Sequence, residues 1–151
     1  MNTPQEIEDI AMSRIEEADI LVKAGRSDGA FYLLGYAVEL MLKNKLCRLL
    51  DIPDLFKEIR NGERSDGLSD LRRPFMIHTL KTLIKYCGLQ RKLASEMETN
   101  TMIRLAISLL FESWSEDCRY KPCGYCVGID VQILIDSVKN PGGLIEWIRQ
   151  N

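Results

Sequence analysis

Residues 30–46, AFYLLGYAVELMLKNKL, constrain this chain more than any other stretch. A helix built from them is apolar on nearly every face from Phe31 to Met41, so it has no side to turn to water and belongs at the centre of the fold. Two of its residues need a reason. Gly35 costs about 1 kcal/mol against alanine in a helix interior, which predicts that another element comes close at that point. Glu39 is a carboxylate on a helix expected to be buried. Lys43 follows it at i+4, but such a pair contributes only roughly 0.2–0.5 kcal/mol on a helix surface. A buried charge therefore needs a further partner, or Glu39 must turn to solvent.

The rest of the chain reads as helices that surround this one. Thr3-Pro4-Gln5-Glu6 is a capping box with proline at the first helical position. Ile7, Ala11, Ile15, Ala18 and Val22 then mark one face, and Gly25 is a stop. Ser27-Asp28 is the expected cap of the second helix, which runs from about residue 28 to 50. Asp54 to Arg60 is a candidate for one or two helical turns, and residues 61 to 70 form a polar loop. A third helix starts at about residue 79, carries Leu80, Ile84 and Cys87, with Ile77 ahead of it on the same stripe, and ends at Gly88. A polar helical stretch covers 89–99, and Thr99 to Trp114 is a strong helix with Ile103, Ala106, Ile107 and Leu110 on one face. Residues 115–128 form a loop, Asp130 caps a helix through Lys139, and Asn140-Pro141 caps a terminal helix with Leu144, Ile145 and Ile148. No segment alternates as a strand does. With 151 residues, 46% of them hydrophobic and 28% charged, the chain suits one domain with a real core. The expectation is an all-α, antiparallel four-to-five-helix up-down bundle.

The formal net charge of −2 excludes a whole-protein basic field. The opening residues lack a basic stretch followed by an apolar one, and no apolar run is long enough for a bilayer. A cytoplasmic location with no membrane contact is expected. Five cysteines without a secretion signal read as reduced thiols.

AFYLLGYAVELMLKNKL resembles the second-helix signature of the HEPN superfamily (higher eukaryotes and prokaryotes nucleotide-binding domains) through Ala30, Tyr32, Leu33, Gly35, Tyr36, Ala37, Glu39, Leu42 and Lys43. IHTLKTLIKYCGL is similar to that family's His-Asp-Leu helix through His78, Leu80, Leu83, Gly88 and Leu89, although Thr79 stands where aspartate is common. WSEDCRY is similar to a tryptophan–arginine–tyrosine element through Trp114, Arg119 and Tyr120. The resemblance implies a HEPN-like bundle, a homodimer, and a toxin–antitoxin or phage-defence context, with an antitoxin or nucleotidyltransferase as partner. It also suggests Arg119 as the partner of Glu39, so that Glu39, Lys43, Arg119 and Tyr120 together anchor the loop after Trp114. Such a pair fixes a loop more than it adds stability, because desolvation offsets the attraction.

His78 is the one histidine, and Arg73 stands five positions ahead of it. Many HEPN ribonucleases carry an arginine shortly before a histidine and cut RNA without metal. There the histidine moves a proton and the arginine stabilises charge on phosphorus, across a dimer. Arg73 and His78 are the catalytic candidates on that basis. Against it, the pair precedes the third helix instead of lying on a late one, and Pro74 disfavours a continuous helix through it. The alternative is a histidine that caps or lines a helix start. Cys118, Cys123 and Cys126 have the spacing of an incomplete zinc site, with His78 or Cys87 needed as fourth ligand, or of a redox pair. The alternative is a set of loop thiols packed under Tyr120 and Tyr125. Basic residues from Lys43 to Lys92, among them Lys57, Arg60, Arg64, Arg72, Lys81 and Lys85, offer RNA phosphates a local patch or else form a solvated face. No cofactor is implied. Two readings remain, a non-catalytic dimeric interaction module associated with RNA and a metal-independent ribonuclease.

Overall fold

The computed structural model describes residues 3–57 and 67–151, and every regular element among them is helical, with no strand. Helix α1 spans Pro4–Lys23. The Thr3 hydroxyl accepts from the Glu6 amide, and the Glu6 carboxylate accepts from the Thr3 amide, so two amides of the first turn are satisfied reciprocally. Ile7, Ala11, Ile15 and Ala18 are buried on the expected face. Gly25, at φ 73°, takes the left-handed conformation that ends the helix.

Helix α2 spans Ser27–Leu50 and packs antiparallel along α1. The Asn44 side chain near its C-terminal end donates to the Pro4 carbonyl at the start of α1, 2.6 Å away. Its central position is as expected. Phe31, Leu34, Leu40, Leu42 and Leu46 are fully buried, with α1 and the later helices Leu80–Tyr86, Val131–Lys139 and Leu144–Gln150 against it. The cap differs from expectation. Arg26 is the N-cap and makes no side-chain bond there, and Ser27 is already helical. Asp28 turns away from its own helix to accept from the Gly124 and Cys126 amides, because those loop amides have no helical partner of their own.

Pro53 to Phe56 make turns instead of the expected helical piece, and its last residues, 58–60, lie outside the described residues, as do 61–66 of the polar loop with Arg64. Helix α3 spans Leu68–Arg72, so it takes the last three residues of the stretch expected to be loop, and a 3₁₀ turn follows at Arg73–Phe75. An irregular strap, residues 76–79, leads into α4, Leu80–Tyr86. The long helix expected from Thr99 is separate from the polar one before it. Helix α5 covers Gln90–Thr99, and Asn100 leaves the helical conformation and caps α6, Thr101–Ser113, by accepting from the Ile103 amide. A 3₁₀ turn at Glu116–Tyr120 follows, then α7, Val131–Lys139, capped by Asp130 as expected. Helix α8, Leu144–Gln150, is capped by Gly143 and not by Asn140-Pro141. The Asn140 carbonyl instead accepts from the Gly143 amide, and the Glu146 carboxylate reaches back to the Gly142 amide. No helix among the described residues is long and apolar enough to cross a membrane.

Gly35 has the packing role its cost implied, but the close neighbour is a side chain. The Trp114 indole packs against α2 at this point, and a Cβ on residue 35 would stand closer to its ring atoms than van der Waals contact allows. Trp114 Nε1 donates to the Tyr32 carbonyl at 3.0 Å, and its ring stacks on Tyr32. Gly35→Ala therefore gains helix propensity and loses more to overpacking, with a net destabilisation of about 1–3 kcal/mol in denaturant unfolding.

Asp19 ties α1 to α7. Lys23, then Gln132 and Lys139, hold its carboxyl at about 2, below its usual 3.8. A depressed folded-state value gives stability that is present above the unfolded value and lost as pH falls through the folded one. Asp19→Asn should flatten the loss of unfolding stability between pH about 4 and about 2, measured by urea midpoints across that window.

Candidate functional site

Glu39 is 1% exposed, and its Oε1 is the focus of a cluster drawn from separate segments. Lys43, one turn on along α2, donates its Nζ to Oε1 at 2.6 Å with its own side chain only 6% exposed. His78, on the strap before α4, places Nδ1 2.9 Å from the same oxygen. The Lys43 ammonium also lies 5.3 Å from the centre of the Phe56 ring, where the aromatic face stabilises a cation. Glu39 Oε2 is buried with no hydrogen-bond partner among the described residues. Tyr36 lies beside it, and burial first and the Glu39 charge second raise that phenol above its ordinary range.

An ionised carboxylate only accepts, so the Nδ1 of His78 must carry the proton in this contact. Neutral His78 then has its lone pair on Nε2, and its side chain is 47% exposed. A carboxylate that holds Nδ1–H while Nε2 meets solvent is the arrangement that orients an imidazole for proton transfer. Lys43 shares the oxygen and neutralises part of the pull on the imidazole.

Arg119 does not partner Glu39, contrary to expectation. Lys43 and His78 both take Glu39 Oε1, and Arg119 is exposed with its guanidinium 4.9 Å from the centre of the Tyr120 ring. Tyr120 itself is 74% exposed. Tyr120, then Tyr32, push the Arg119 guanidinium further up in its already high range. The anchor of the loop is instead Asp28, which binds two loop amides, with the Tyr125 hydroxyl donating to the Asp28 carbonyl at 3.1 Å. Nothing in the local pattern marks Asp28 for this, because an aspartate at a helix start reads as its cap.

Arg73 and His78 are not on one helix. Arg73 begins the 3₁₀ turn with Pro74 behind it, and its side chain is exposed beside a neighbouring cavity, while His78 turns inward to Glu39. No hydrogen bond joins the two.

Of the three loop cysteines, Cys118 and Cys126 are buried, both beside Tyr125, whereas Cys123 is exposed. Burial pushes the Cys126 thiol up to about 11. Cys87, one candidate fourth ligand, donates its thiol to the Leu42 carbonyl and is pushed up by burial to about 12. Among the described residues no group of three such side chains stands where it could hold a metal ion.

Removing one partner of the Glu39–Lys43 pair strands a charge in the core. Lys43→Met should cost about 3–5 kcal/mol in denaturant unfolding, and adding Glu39→Leu should recover most of it, the non-additivity being the measured quantity.

In comparisons with known proteins, no family model matches the chain, and no curated protein and no solved structure matches it.

Proposed function

We propose that this chain is a HEPN-like helical module associated with RNA, acting as a homodimer in a toxin–antitoxin or phage-defence setting, with an antitoxin or nucleotidyltransferase as its partner. The observation that supports this reading is the convergence on Glu39 Oε1. Lys43 and His78 come from two motifs that resemble the family, 35 positions apart, and both reach that one oxygen. In this reading the bundle is of the up-down kind, and the strap that His78 pins to α2 is part of the working surface.

The exposure of His78 favours a second reading, metal-independent cleavage of RNA. His78 Nε2 takes the proton of the ribose 2′-hydroxyl, Glu39 holds the imidazolium that forms, and Arg73 stabilises charge on the phosphorus oxygens. Two copies of the motif across a dimer would complete one site.

The experiment uses purified wild type, His78→Ala and Arg73→Ala, with gel-resolved cleavage of total RNA and sedimentation of the free protein. The ribonuclease reading expects metal-independent cleavage that falls at least about a hundredfold in His78→Ala, the scale of lost acid–base catalysis. RNA binding without cleavage by any variant leaves the interaction module. A monomer that neither binds nor cuts RNA removes both.

A further inference from the structure

The strap that carries His78 also walls a second cavity of about 430 Å³, to which Lys57, Arg72, Arg73, Asp70, Phe56 and Met76 contribute. Among the described residues its charge is one-sided, with three cations against one carboxylate. Arg72 is the telling residue. It is 6% exposed, and its bond among the described residues is Nε donating to the Leu55 carbonyl. No carboxylate among the described residues forms an ion pair with it. A carbonyl oxygen carries no net charge, so among the described residues this buried guanidinium has no counter-anion, and an anion entering the cavity would compensate it. Arg73 and Lys57 stand at the same cavity with exposed side chains. The other wall is apolar. Met76 is 57% exposed there, and Phe56 is the ring that also receives Lys43, so the cavity and the Glu39–Lys43–His78 cluster share a side chain.

We infer that this cavity is a phosphate subsite for single-stranded RNA. One phosphodiester lies among Arg72, Arg73 and Lys57, and the attached nucleoside packs against Met76 and the edge of Phe56. The guanidinium fork matches two phosphate oxygens at once, which an ammonium cannot do. A strand held there passes His78, two residues further along the strap. The inference rests on the RNA reading above and adds where the strand is gripped.

The test titrates the ¹⁵N-labelled full chain with inorganic phosphate and with a short oligouridylate, following backbone amides. Both probes should shift Phe56, Lys57, Arg72, Arg73 and Met76. Lys57→Ala and Met76→Ala remove exposed side chains that make no hydrogen bond among the described residues, so they keep the test valid where Arg72→Gln fails to fold. Each should weaken oligouridylate binding about five- to tenfold, and Lys57→Ala alone should lower the salt dependence by about one phosphate contact. Oligouridylate bound elsewhere and indifferent to both substitutions overturns the subsite and leaves the RNA reading standing. Phosphate shifts without oligouridylate shifts overturn the assignment to RNA. Binding of neither probe overturns the subsite and the RNA reading together.

Discussion

A carboxylate enclosed in an apolar helix must be neutralised where it stands, and the arrangement around α2 follows from that need. Glu39 is buried because α1, α4, α7 and α8 pack around the middle of α2. Lys43 is therefore drawn in with it, and its ammonium gives up water for one carboxylate oxygen and the face of Phe56. His78 completes the set from outside the helix. A buried ion pair of this kind contributes little net stability, since desolvation offsets the attraction. Its effect is on geometry. The strap before α4 is held at one register on α2 because one oxygen accepts its histidine.

Helix α2 carries three such tethers along one rod. Asp28 at its first turn binds the amides of the 124–126 turn, Gly35 makes room for the Trp114 indole, and Glu39 holds His78. Each joins α2 to a segment more than 35 residues away, and each replaces part of the regular helical surface by a contact specific to one partner. The two candidate surfaces lie where the third tether brings the strap down. The cluster at Glu39 orients an imidazole, and the cavity beside it collects cations, with Phe56 between them. Lys43 tempers the first of these, because a carboxylate already paired with an ammonium polarises its histidine less than a free one. Arg72 sharpens the second, because among the described residues its charge meets a carbonyl and no carboxylate.

The helices and their caps were largely legible in the sequence. The Thr3–Glu6 box, the Gly25 stop, the Asp130 cap and the burial of residues 30–46 are consequences of local hydrogen bonding and of apolar periodicity, which neighbouring residues alone express. Two local readings failed. Asp28 has cap chemistry at a helix start but is taken by a distant loop, and α8 starts at Gly143 after a backbone turn in which the Asn140 carbonyl accepts from the Gly143 amide. A cap residue binds whichever unpaired amide is nearest in space, and sequence distance does not rank those amides.

The candidate site was legible only in its members. Glu39 announces by itself that it needs partners, and Lys43, His78 and Arg73 stand out by residue type and spacing. Which of them meet is a matter of how the strap and the late loop fold over α2. Arg119 remains in solvent, His78 takes the carboxylate, and Arg72, one basic residue among many along the chain, is enclosed with no acid paired to it among the described residues. The sequence by itself determined an all-helical chain around one oily rod with a charge in it, because periodicity and caps are short-range. Only the tertiary structure decided which side chains neutralise that charge and which cations are enclosed, because burial and long-range pairing depend on every element that packs against the rod.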